Sequence, residues 1–228
     1  MADRPPTGEE SAEPITFRGV TKRYGDVTAL DAVDLEIRPD EIHCLVGPNG
    51  SGKTTLFDLL LGLTRPTAGR VERSGATLGC SFQTPTFYPD LTVRENLTVF
   101  ARLTHAPDDG WRETVTEEFR LDRVAGRLAG TLSGGWQKKL DLALAFLERP
   151  AYAVLDEPLD DLDDISKRRL RAFLDDYRDV GGVLVATHHV GAFEPILDRL
   201  TVIDDGTILY DGPVEEGTAH ERYLDLVE

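Results

Sequence analysis

Gly47-Pro48-Asn49-Gly50-Ser51-Gly52-Lys53-Thr54 fits the pattern G-x-x-x-x-G-K-[ST], and it stands between an apolar run, Ile42 to Val46, and a helix-forming stretch, Lys53 to Leu61. Strand, glycine loop and helix in that order build a phosphate cradle, because glycines let successive backbone N–H groups point inward and the helix start adds its positive dipole end. Lys53 is placed to hold the outer phosphates of a nucleoside triphosphate as a point charge. Thr54 is placed to ligate magnesium, and Thr55 continues the same helical turn under the phosphates.

Two further stretches extend the reading. Tyr152-Ala153-Val154-Leu155-Asp156-Glu157 is an apolar run that ends in two carboxylates, the way a buried strand delivers acids to one edge of a sheet. Asp156 suits the magnesium shell; Glu157, one residue on, suits a general base that polarises water. Ser133-Gly134-Gly135 precedes Leu140, Leu144 and Leu147, an i, i+4, i+7 stripe, so this glycine pair opens a helix. A helix N-terminus attracts phosphate, although in isolation Ser133 as an ordinary helix cap is the better explanation. Taken with the first loop, it is a second anion site, and two chains sharing each triphosphate is the simplest arrangement that uses both.

Around these stretches the chain divides into recognisable regions. Residues 1–14 are rich in Pro and Glu without apolar periodicity, and a mobile tail is expected there. Alternation in Ile15 to Val20 and across Leu30, Val33, Leu35 and Ile37 predicts antiparallel strands, with short strands again near Gly69 to Val71 and Thr77 to Phe82. Helical periodicity then dominates in Val93 to Leu103, Arg112 to Phe119 and Gly134 to Leu147, which predicts a helical subdomain inserted at about residues 84–149. A strand at Tyr152 to Leu155, a helix from Ile165 to Tyr177 and a strand at Val183 to Ala186 restore the alternation, and Val202 to Glu228 reads as a hairpin through Asp205-Gly206 followed by a helix. The fold class is α/β: a phosphate-loop nucleotidase core with a mainly parallel sheet, an N-terminal antiparallel β subdomain and the helical insertion, all within residues 15–228, with ligand at the carboxyl ends of the strands.

Composition excludes several classes. No window approaches the roughly 18 apolar residues of a membrane span, and the N-terminus lacks a signal core, so a cytoplasmic location is expected. Cys44 and Cys80 are too few and too far apart for a disulfide framework or a zinc site, and are expected as buried, reduced thiols. The formal charge is -16, and lysine occurs only at positions 22, 53, 138, 139 and 167. That balance argues against a nucleic-acid surface. It fits a protein kept soluble in concentrated salt.

The ordered set of motifs resembles the ATP-binding cassette family of transporter ATPases from about Phe17 to the C-terminus. The resemblance implies ATP and magnesium as cofactors, a second cassette as partner, and a separate multi-span membrane subunit that would hold this chain on the inner face of the cell membrane. It also implies further site residues. Tyr24 corresponds to the aromatic that stacks on adenine. Gln83 corresponds to the glutamine that touches magnesium and water and reports to the membrane subunit. Asp163 belongs to the loop that meets the other cassette, and His188, rather than its neighbour His189, corresponds to the switch histidine at the γ-phosphate. Ser133, Gly134 and Gly135 would close over the ATP of the partner chain.

Two places depart from the family pattern. Leu159-Asp160-Asp161 stands where small or hydroxyl residues are usual, and Trp136 follows the glycine pair where glutamine or methionine is usual; the extra acids put turnover rate in question. Tyr88 to Leu97 resembles the drug- and lipid-exporting branch, which implies export, with a partner helix docking near Gln83 and Phe87-Tyr88. The competing reading is a cassette ATPase of iron–sulfur assembly, chromosome organisation or translation, although the chain has neither tandem cassettes nor a long coiled-coil insertion. A GTP switch is disfavoured because no Asn-Lys-x-Asp motif is present.

Overall fold

The computed structural model of the protein describes residues 13–215 and 217–227; most of the tail expected at 1–14 lies outside them. Alternating residues open the chain. β1 (Ile15–Tyr24) pairs antiparallel with β2 (Val27–Ile37), and β4 (Ala68–Glu72) closes the other edge of β1 to give a three-stranded sheet ordered β2-β1-β4. Ile15, Phe17 and Val20 of β1 and Leu30, Val33, Leu35 and Ile37 of β2 face inward.

The second sheet has six strands in the order β5-β6-β7-β3-β8-β9. Its members are β3 (Ile42–Val46), β5 (Leu78–Ser81), β6 (Tyr152–Asp156), β7 (Gly182–Thr187), β8 (Arg199–Asp204) and β9 (Thr207–Pro213). The first five run parallel and β9 folds back antiparallel. Asp205 and Gly206 both adopt positive φ at the β8–β9 turn, as a two-residue Asp-Gly hairpin demands. β3 and β7 are buried along their whole length, because helices cover one face and the antiparallel sheet with α1 covers the other.

Side-chain alternation divides the core. Leu45, Val154, Leu184 and Ala186 point toward β1, β2 and helix α1 (Lys53–Leu61), whose Leu56, Phe57, Leu59 and Leu60 are buried there. Cys44, Val46, Ala153, Leu155, Val183 and Val185 point the other way. That face packs against α2 (Val93–Leu103), α3 (Trp111–Glu118), α4 (Gly134–Phe146) and α5 (Asp164–Tyr177), with α6 (Ala219–Val227) closing the described chain. An aromatic cluster of Trp111, Phe119, Phe146, Phe173 and Tyr177 joins α3, α4 and α5 through ring centroids 4.8 to 6.4 Å apart. α2 is anchored separately, through its buried Val93 and Leu97.

The expectation for the cysteines needs one correction. Cys44 is buried, but Cys80 is only half-buried on the edge strand β5; both are free thiols. β5 has a neighbour on one side alone, so its side chains are covered less completely than those of β3.

Candidate functional site

Parallel strands place their carboxyl ends on one edge, and four of them supply the site. β3 leads into Gly47–Thr54, β6 ends at Asp156 with Glu157 next, β7 ends at Thr187 with His188 next, and β5 is followed by Phe82 and Gln83. A cleft of about 190 Å³ is lined by Asn49, Gly50, Gly52, Lys53, Thr54, Thr55, Gln83, Asp156 and Glu157, together with Ala29 of β2. Residues separated by about a hundred positions in sequence thus share one small, polar recess.

The loop conformation depends on glycine. Gly52, at φ 111°, has a backbone that L side chains rarely adopt, and a Cβ there would lie 2.7 Å from the Ala29 carbonyl oxygen and 2.8 Å from Leu30. Gly50 is also left-handed at φ 85°, but nothing approaches its missing Cβ within 4 Å, so its glycine serves the turn rather than packing. Lys53 Nζ donates to the carbonyls of Gly47 at 2.6 Å and Pro48 at 2.9 Å, which holds the cation across the mouth of the loop. Burial lowers its pKa, while the nearby Glu157 and Asp156 oppose that shift.

The acids are held differently. Asp156 has a raised pKa, first because it is partly buried and then because Glu157 is beside it; Lys138 and Lys53 pull the other way. Glu157 sits at φ 43°, an uncommon backbone for a residue with a side chain. Its N–H donates to the Ala186 carbonyl at 2.9 Å, and the carboxylate turns back onto β7. There it accepts from Thr187 Oγ1 at 2.7 Å and from the His188 N–H at 3.0 Å, and it meets His188 Nδ1 at 2.7 Å. The carboxylate is thereby fixed at the edge of the cleft, and His188 is bound to it rather than free. The His189 ring lies against that of His188 with centroids 3.7 Å apart and the ring planes tilted by 44°.

The donor set suits magnesium. Thr54, Gln83 and Asp156 offer a hydroxyl, an amide oxygen and one carboxylate around the same cleft, and a magnesium ion typically takes one or two carboxylates and completes its shell with phosphate and water oxygens. A raised Asp156 pKa is what a carboxylate shows when a cation would relieve its burial. Among the described residues no cluster of three His, Cys, Asp or Glu side chains forms a self-sufficient metal site.

Other residues singled out in the sequence lie outside this cleft. Tyr24 is half exposed at the end of β1, with Lys22 Nζ 4.8 Å from its ring centre. Ser133, Gly134 and Gly135 open α4, and the Ser133 side chain makes no capping bond, leaving its hydroxyl available. Gly135 is needed for packing as well, since a Cβ there would stand 2.8 Å from the Asp161 carbonyl oxygen. Asp163 caps α5 by accepting from the Ser166 N–H at 2.8 Å, which gives it a structural task in the single chain. A larger cavity, about 460 Å³, lies beside the α4 N-terminus between Trp136, Lys139 and Asp163, and neither Lys53 nor Glu157 lines it.

Three residues at the site carried no signal of function in the sequence. Thr187 orients Glu157 from the position just past the strand read at Val183 to Ala186. Lys138 and Asp141 are almost completely buried on α4. The sole clue was chemical: two charged residues three apart, within a stretch where Leu140, Leu142 and Leu144 declare the helix to be a core element.

A phosphate loop, a carboxylate pair two strands away in the same parallel sheet, and a helix-opening glycine turn on an interposed helical segment define a cassette-type ATPase. Residues 30–160 match the family model described as ABC transporter. Among curated relatives, the Nod factor export ATP-binding protein I of Burkholderia orbicola is 35% identical, over 96% of this chain and 77% of its own. The daunorubicin resistance ATP-binding protein of Streptomyces coeruleorubidus is 34% identical over 89% and 69%. An aliphatic sulfonates import ATP-binding protein of Nocardia farcinica is 36% identical over 93% and 87%. Among solved structures, an ATP-binding subunit of an ABC transporter superposes with a TM-score of 0.87 at 22% identity, over 94% of this chain and 99% of that one. A dimeric bacterial ABC transporter cassette does so with a TM-score of 0.78 at 25% identity, over 88% and 99%. The chain belongs to the ABC transporter family, as an ATP-binding subunit that hydrolyses ATP.

Proposed function

We propose that two copies of this chain close around two ATP molecules and, by hydrolysing them, drive an export cycle in a separate membrane subunit. The single observation that carries the reading is the split of the phosphate-binding groups. The Lys53 loop and the Asp156–Glu157 pair share one cleft, whereas the glycine turn at Ser133 presents unpaired helix-start N–H groups outside it. A second copy brings its turn to the first copy's ATP, a reading supported by a similar bacterial cassette being described as dimeric. Among the described residues no helix is long and apolar enough to cross a membrane; the membrane-spanning part is assigned to another chain because the similar proteins are named as ATP-binding proteins. Export is favoured because two of the similar proteins are named for Nod factor export and daunorubicin resistance, although one is named for import.

Within the site, the Gly47–Thr54 loop grips the phosphates, Lys53 swings from the Gly47 and Pro48 carbonyls to the outer phosphates, and Tyr24 stacks on adenine. Thr54, Gln83 and Asp156 hold magnesium, which when bound neutralises the developing charge on the transferred phosphoryl group. Glu157 accepts the proton of the attacking water, with Thr187 fixing its carboxylate and His188 moving between Glu157 and the γ-phosphate. Catalysis is then positioning and charge neutralisation without a covalent intermediate. ATP binds the closed dimer more tightly than the open one, and hydrolysis removes that preference.

Glu157→Gln is the deciding variant. It is expected to bind ATP as tightly as the unmodified chain, to lose steady-state phosphate release by about a hundredfold or more, and to run as a dimer in magnesium and ATP on a sizing column. A variant that stays monomeric and turns over normally would remove the proposal. Co-purification of a multi-span protein from detergent-solubilised membranes separates transport from a ribosomal or iron–sulfur assembly role.

A further inference from the structure

Helix α4 begins at the glycine turn and runs beneath the cleft, and two of its charged side chains are buried there. Lys138 is 1% exposed and Asp141 2% exposed. An ammonium and a carboxylate three residues apart on a helix commonly pair with each other. Here the hydrogen bonds run to other elements instead. Lys138 Nζ donates to the Phe82 carbonyl at 2.9 Å and to the Asp156 carbonyl at 3.1 Å. Asp141 accepts from Ser81 Oγ at 2.6 Å and from the Thr86 N–H at 2.7 Å. The four partners are not scattered: Ser81 and Phe82 lead into Gln83, Thr86 follows it, and Asp156 is the acid at the end of β6.

Burying an unpaired charge is far more costly than burying an apolar side chain of the same shape. A leucine or methionine at either position would fill the space, so packing alone does not account for two ions. What charged groups supply here is direction, through charge-assisted hydrogen bonds of defined geometry. The peptide groups on both sides of Gln83 and the peptide carbonyl of Asp156 are tied to one rigid helix. That same helix carries Ser133, Gly134 and Gly135 at its start.

We propose that Lys138 and Asp141 are positioning residues: a buried polar clamp that fixes Gln83 and Asp156 relative to each other and to the α4 glycine turn. The clamp touches neither ATP nor magnesium. It acts by holding the peptide groups that aim the Gln83 amide and the Asp156 carboxylate at one point. It rests on the proposed role of those two residues as magnesium ligands. It also makes α4 the part through which movement of the Gln83 loop reaches both halves of the ATP site.

Two readouts test it. The first is the equilibrium affinity for the methylanthraniloyl derivative of ATP, with and without magnesium chloride. Lys138→Met keeps the length of the side chain and removes all its donors. It should leave the magnesium-free affinity within about twofold, and cut the gain in affinity that magnesium confers by about tenfold, the size expected from losing hydrogen bonds to a charged group. Lys138→Gln keeps an N–H donor and should recover part of the gain; Asp141→Asn should shift it in the same direction as Lys138→Met. The second readout is amide hydrogen exchange, in which residues 82–87 should exchange at least about tenfold faster in Lys138→Met.

Leu142→Ala, in the apolar core of the same helix, is the control for general destabilisation. It should lower the melting temperature while sparing both readouts. An unchanged magnesium effect in Lys138→Met and Asp141→Asn, or an equal loss in Leu142→Ala, would overturn the clamp. If Lys138→Met does not fold, Lys138→Gln and Asp141→Asn decide the matter by the same measurements. If the unmodified chain itself gains no affinity from magnesium, the assignment of Gln83 and Asp156 as ligands fails, and that outcome is distinct from failure of the clamp alone.

Discussion

His43 lies wholly inside the protein on β3, one residue before Cys44, and its surroundings refuse it a charge. Thr201 Oγ1 donates to Asp211 at 2.8 Å, so it accepts from His43 Nε2 at 2.6 Å, and the imidazole is neutral with its proton on Nε2. Burial lowers the pKa from 6.5 to about 4; Asp211 opposes the shift and Arg199 adds to it. The folded pKa is below the unfolded one, so the stabilisation is complete above pH 6.5 and is lost as pH falls toward 4. By pH 4.5 the loss amounts to roughly 2.5 kcal/mol. Urea unfolding of the unmodified chain and of His43→Gln should show a stability gap that narrows by about this amount between pH 7.5 and pH 4.5. A gap of constant size across that range would mean that His43 does not titrate on unfolding.

At the scale of an element, α4 separates two kinds of glycine. A Cβ on Gly135 would meet the Asp161 carbonyl oxygen at 2.8 Å, backbone that cannot easily move, whereas a Cβ on Gly134 would make ordinary contact with the Asp161 side chain at 3.5 Å. Gly135→Ala should therefore cost about 1–3 kcal/mol in overpacking. Gly134→Ala should be neutral or stabilising by up to about 1 kcal/mol, because alanine favours helix. If Gly134 faces the partner's ATP as proposed, its alanine variant should nevertheless lose at least about tenfold in turnover. Thermal melts with phosphate-release assays on both variants check the contrast. Equal stabilities would show that Asp161 gives way. The sequence made much of this element readable: the glycine pair announced its start, and Leu140, Leu144 and Leu147, all buried, its inner face. Lys138 and Asp141 stayed hidden, because their partners are backbone and hydroxyl groups of β5, the Gln83 loop and β6, about 18 to 60 residues away, and periodicity reports only which side of a helix is apolar. Thr187 was obscured for the same reason. Asp156 and Glu157 were legible because a strand's end is a local property. Their different settings, one half-buried beside lysines and the other pinned to β7, arise only when the strands pair.

Across the whole molecule the dominant feature is charge: 41 acidic residues against 25 basic, a net of -16. Surface pairs such as Arg18 and Arg70 with Glu72 neutralise only part of it. Each exposed pair contributes about 0–1 kcal/mol at most and weakens as salt rises. Repulsion among the unpaired carboxylates weakens too, because the screening length falls from about 10 Å at 0.1 M to about 3 Å at 1 M. With acids in such excess, relief of repulsion outweighs loss of pairs. The proposed dimer sharpens the argument, since two chains of charge -16 would have to approach around nucleotides that are themselves anionic. The melting temperature should rise by about 5 °C between 0.1 and 1 M potassium chloride, corresponding to roughly 1–2 kcal/mol for a chain of this size. The ATP-bound Glu157→Gln dimer should form at lower protein concentration over the same range. Sodium chloride should act alike, whereas sucrose at equal osmotic strength should reproduce only the effect of solute exclusion. A melting temperature that falls with potassium chloride would show that the ion pairs carry more of the stability than the excess charge takes away, and adaptation to a salt-rich interior would have to be abandoned as the reason for the acidic surface.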